Sequence, residues 1–131
     1  MNKILWKLPV SVTSIIKGPS LKVLPKRQCE ISFSIEASDG GGKMEALLFD
    51  EVEAFKCTHL KSLGSVSQDL RRQSYGAVIS IFESPWLREV KQSYIGYCAS
   101  AKVTPMELQH LMITFDDGPC YEFICGVFKA V

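Results

Sequence analysis

The sequence predicts an α+β domain: an antiparallel, twisted sheet of five to seven strands with one main helix packed on it, a sandwich or a partial barrel being forms such a sheet can take. Three observations carry this. Residues 29–37 alternate apolar and polar without a break, an Asp-Asp-Gly turn separates two apolar runs near the carboxy end, and Leu70, Ser74, Val78 and Phe82 form a largely apolar series at four-residue spacing between 69 and 82.

In the first of these, Cys29, Ile31, Phe33, Ile35 and Ala37 point one way, and Glu30, Ser32, Ser34 and Glu36 the other. That period of two belongs to an antiparallel strand with one face in water, because strands covered on both faces read as continuous apolar runs. Asp39-Gly40-Gly41-Gly42 supplies turn residues, and Lys43 to Phe49 returns as the second strand of a hairpin. The three glycines lack the Lys-Ser/Thr and the helix of a phosphate-binding loop. Ala54 to Leu60 reads as a further strand and Val10 to Ile16 as extended chain, with a break at Gly18-Pro19.

Leu70, Ser74, Val78 and Phe82 recur at helical spacing, and Tyr75, Ile79 and Ile81 widen the stripe, so the main helix is expected over 69–82. Gly76 and the β-branched Val78, Ile79 and Ile81 favour a strand there instead. Ser84-Pro85 is a cap and first position for a short helix reaching about Lys91, and 92–105 reads as loop or irregular strand.

In the carboxy-terminal hairpin the loop is Asp116-Asp117-Gly118. A three-residue loop sets Ile113 opposite Tyr121 and Leu111 opposite Phe123, whereas a two-residue turn would set Glu122 opposite Ile113 on the core face. The three-residue register is preferred. It places His110, Met112 and Glu122 together on the other face, expected to be solvated, where Glu122→Ala would be silent.

The stretches Tyr75 to Leu87 (YGAVISIFESPWL) and His110 to Phe128 (HLMITFDDGPCYEFICGVF) resemble segments of a group of small, uncharacterised bacterial proteins. There a helix ends in Ser-x-Trp-Leu, and a hairpin follows with Phe-Asp-Asp and Cys-Tyr-Glu. The resemblance implies a compact domain and no particular chemistry.

With 131 residues, 47% of them apolar and 22% charged, the chain has the size and composition of one globular domain spanning 1–131. A formal charge of +1 provides no field for general nucleic-acid binding. Lys22, Lys26 and Arg27, and the adjacent Arg71 and Arg72, read as solvated surface charge. Five cysteines at scattered spacings form neither a zinc knuckle nor a redox pair, and free thiols suit a reducing, cytoplasmic setting. No export signal or apolar run of membrane length is read, since about 20 residues would be required.

Candidate chemistry is sparse. His110 and Glu122 are diagonal neighbours on one hairpin face, able to share a proton or form one edge of a ligand site. A haem-like cofactor would take His59, His110, Met112 or a thiol as axial ligand. No metal cluster and no catalytic residue is assigned. A protein partner would use aromatic anchors, of which Trp86, Tyr94 and Tyr97 are the candidates. The leading expectation is a non-catalytic protein-binding module of inhibitor, immunity or adaptor type, with a small-molecule or haem-binding protein second and an enzyme third. An enzyme would require a closed pocket where His110 and Glu122 meet a third polar group.

Overall fold

The computed structural model describes residues 1–10, 15–36, 40–59, 68–115 and 119–131. Among these residues seven strands form one antiparallel sheet: β1 (Lys3–Lys7), β2 (Ile15–Leu24), β3 (Gln28–Glu36), β4 (Gly42–His59), β5 (Ala77–Ser80), β6 (Gln109–Thr114) and β7 (Pro119–Ala130). Two helices, α1 (Gln68–Ser74) and α2 (Pro85–Ala101), complete the α+β domain. The strand order is β1-β5-β6-β7-β4-β3-β2, so the sheet is open with β1 and β2 as its edges.

The alternating stretch at 29–37 forms β3 as far as Glu36, and β3 and β4 make the expected hairpin, Cys29 opposite Phe49 and Ile31 opposite Leu47. The strand read at 54–60 is the second half of β4, which runs unbroken for 18 residues. β4 bends in the middle, where Glu51 has a positive φ of 54° and the pairing with β7 shifts between Val52 and Ala54. Arg27 clamps the bend, its guanidinium 2.8 Å from Glu51 and 2.7 Å from Glu53, so this arginine is engaged rather than free surface charge. Gly18-Pro19 does not end a strand. It lies within β2, an edge strand where a missing N–H is tolerated, and the pairing with β3 is irregular there.

The main core lies on one face of this bent sheet. Phe33 on β3 meets both Phe115, after β6, and Trp6 on the far edge strand β1, at ring distances of 5.7 and 6.3 Å. Phe49 and Phe123 stack at 3.9 Å in the same cluster, with Ile31, Leu47, Leu111 and Ile113 fully buried around them. The opposite face is covered by the helices. Ala77, Ile79, Met112 and Cys120 pack under Leu70 of α1, and Ile124 and Leu108 under Tyr94 and Cys98 of α2.

The helix expected over 69–82 is corrected. α1 stops at Ser74, Gly76 takes a positive φ of 65°, and the chain continues as β5 between β1 and β6. Ala77, Val78 and Ile79 are all buried because β5 is covered on both faces. The main helix is instead α2, which runs to Ala101 through most of the stretch read as loop or irregular strand, while 103–105 lie outside any helix or strand. Ser84-Pro85 caps and opens this helix as its residues predict, whereas the resemblance places Ser-x-Trp-Leu at a helix end.

Candidate functional site

β6 and β7 pair in the three-residue-loop register, with Ile113 opposite Tyr121, Leu111 opposite Phe123 and Met112 opposite Glu122. The loop tip at 116–118 lies outside the described residues. On the neighbouring strand Lys56 of β4 stands directly opposite Glu122, so Met112, Glu122 and Lys56 form one cross-strand row. His110 is the diagonal neighbour that the sequence places beside Glu122.

The expectation that this face is solvated is overturned. His110 is 6% and Glu122 3% exposed, because α1 and the start of α2 cover the face that the hairpin pattern alone shows as water-facing. Burial without loss of hydrogen bonding is possible because the two side chains satisfy each other. His110 Nε2 lies 2.9 Å from Glu122 Oε1, and His110 Nδ1 lies 2.7 Å from Ser84 Oγ. A carboxylate can only accept, so Nε2–H donates to Glu122, and in that tautomer of the neutral ring Nδ1 accepts from the Ser84 hydroxyl.

Ser84 was not among the residues singled out for chemistry. It reaches His110 because the strand-to-helix turn is sharp: Glu83 has a positive φ of 56°, and Ser84 follows as the N-cap of α2. Its Oγ accepts from Leu87 N–H at 3.0 Å. The serine therefore holds the helix start and the histidine at once, and its cap motif was the sequence signal that could have found it.

Above this buried chain lies a pocket of about 440 Å³, its walls formed by Leu70, Ile81, Phe82, Trp86 and Met112, with Asn2 at the edge. Trp86 stands edge-on to His110, ring centroids 5.1 Å apart, and the Lys56 ammonium lies 4.3 Å from the Trp86 centroid. Phe82 at the rim is 59% exposed. Asn2 fixes the rim, its Oδ1 accepting from Phe82 N–H at 2.7 Å and its Nδ2 donating to Gln73.

The other predicted residues are scattered. His59 is exposed at the end of β4 and is not among the residues lining the pocket. His110 has both ring nitrogens engaged, which leaves none for an axial bond to haem, and Met112 is buried in the row beside Glu122. Tyr94 is turned inward at 8% exposure and accepts from Met106 N–H, so it is no surface anchor, whereas Tyr97 is exposed on the far part of α2. Among the described residues no cluster of three or more metal-ligating side chains occurs, and no helix is long and apolar enough to cross a membrane.

All five cysteines are free, and four are buried. Burial pushes Cys120 up to about 11 and Cys125 up to about 12. Cys57, the exposed one, and Cys29 are also raised, both by desolvation. Comparison with protein-family models, with curated proteins and with solved structures found no match.

Proposed function

We propose that the protein is a non-catalytic binding module, of inhibitor, immunity or adaptor type, that receives a segment of a protein partner in the cleft between Phe82, Trp86 and Lys56. One observation carries this reading: a buried floor tied together by the Ser84–His110–Glu122 hydrogen bonds beneath an aromatic-rimmed, solvent-open cavity. Such a preformed cleft with a few placed polar groups favours recognition, because little ordering entropy is lost on binding. Five free thiols suit a cytoplasmic setting.

Ser84 does bring a third polar group to His110 and Glu122, but this chain lies beneath an open cavity rather than in the closed pocket an enzyme would require. Acyl transfer needs a serine free to attack and donors aimed at the developing oxyanion. A bond from His110 to Ser84 is one a triad shares, but Ser84 is only 4% exposed, its Oγ is held by Leu87 N–H, and Pro85 removes an amide from the helix start. The chain acts as a structural tie.

Affinity capture from the source organism tests the reading. A partner held by the wild-type protein should be lost from Phe82→Asp, a substitution at an exposed rim position, while circular dichroism stays unchanged. Equal capture by both proteins would refute it.

A further inference from the structure

Lys56 gives the cleft a definite chemistry. Its ammonium lies 4.3 Å from the Trp86 ring centroid and 3.8 Å from Glu122 Oε2. An aromatic face and a carboxylate on either side of one position are the two elements that recognise an organic cation. Glu122 Oε1 is taken up by His110, and Oε2 faces Lys56 across a gap longer than the roughly 2.7–2.9 Å of a charge-assisted hydrogen bond. The lysine thus occupies the position without closing on the carboxylate. Its side chain is 49% exposed on a flexible stem and can swing into water, whereas Glu122 at 4% cannot leave.

With Lys56 withdrawn, the charged side chains lining the pocket are Glu83 and Glu122, both acidic. Phe82, Ile81 and Met112 provide apolar wall for an alkyl stem. The edge-on contact with His110 fixes the indole plane, and His110 is itself held by Ser84 and Glu122. The competitor that best displaces an ammonium here is a guanidinium, which is more weakly hydrated, stacks on indole and presents a fork of donors to a carboxylate.

We infer, building on the binding reading above, that the cleft is an arginine pocket: Lys56 is a resident placeholder for an arginine side chain of the partner protein, which takes its position between Trp86 and Glu122.

The probe is Nα-acetyl-arginine amide, with Nα-acetyl-norleucine amide and Nα-acetyl-glutamate amide as controls at matched ionic strength. The readout is the indole N–H resonance of Trp86, assigned by Trp86→Phe. Saturable shifts are expected with the arginine probe alone, and removal of the placeholder in Lys56→Ala should tighten binding by about tenfold, because the competent state becomes fully populated. Glu122→Gln should abolish the response, and thermal melts confirm that each variant is folded. No saturable shift in folded Lys56→Ala, or weaker binding than wild type, overturns the inference. If norleucine or glutamate amide binds and arginine amide does not, the cation specificity is wrong while the cleft stands as a binding site. Failure of the Phe82→Asp capture experiment, in contrast, removes the binding reading itself.

Discussion

Glu122 shows how one residue's environment reverses an expectation drawn from its strand alone. The alternation of the carboxy-terminal hairpin places it correctly opposite Met112 and diagonal to His110. What alternation cannot reveal is whether the second face meets water or a helix. With its carboxylate buried and bonded to His110, Glu122→Ala strands the imidazole and should destabilise the fold by about 3 kcal/mol, in the range for breaking a buried hydrogen-bonded pair. Glu122→Gln keeps an acceptor oxygen for Nε2–H and should lose less. Urea melts of the two variants beside the parent check this, and a silent Glu122→Ala would mean that the carboxylate is in water after all. At this scale the site was half legible: His110, Glu122, Met112 and Trp86 were named from sequence and line one pocket, whereas Lys56 and Ser84 carried no signal beyond a surface charge and a helix cap.

At the scale of elements, legibility followed the width and regularity of the apolar pattern. β3 and the β6–β7 hairpin were readable because each alternates or contains a turn that excludes the other register. β5 was not, since a strand covered on both faces loses alternation, and the spacing of Leu70, Ser74, Val78 and Phe82 continued the period of α1 across the turn at Gly76. α2 was shortened for the converse reason. Only Tyr94 and Cys98 are fully buried along it, and exposed Ile95 and Tyr97 blur its stripe. Such a thinly anchored helix depends on its cap. Ser84→Ala removes the acceptor for Leu87 N–H together with the partner of His110 Nδ1, and should cost about 2 kcal/mol, the upper part of the range for a helix cap. Hydrogen exchange should show the first turn of α2 losing protection before the sheet does. A loss below about 0.5 kcal/mol, the level of an ordinary surface change, would show that the cap and the histidine tie are independent of stability.

For the whole molecule, the double burial of a curled sheet has a measurable consequence at alkaline pH. Burial raises Cys120 from an ordinary 9.0 to about 11, Cys125 to about 12, and Tyr121 from 10.0 to about 12. The folded protein therefore holds these protons longer than the unfolded chain, so stability is complete below about pH 9 and falls as pH rises towards 12, where the unfolded state is favoured by proton release. The urea midpoint should decline between neutral pH and about pH 10.5, and a flat profile would place these groups in water.

The same sheet leaves the cleft over Glu122 as the place where a buried polar floor, an aromatic rim and a lysine meet. That the cleft is where the partner binds is tested most directly by titrating the captured partner into isotopically labelled protein and mapping the perturbed resonances. The perturbed resonances should cluster on Lys56, Phe82, His110, Met112 and the Trp86 indole. A cluster on the outer edge of β2 or around Tyr97, with the cleft unperturbed, would contradict it.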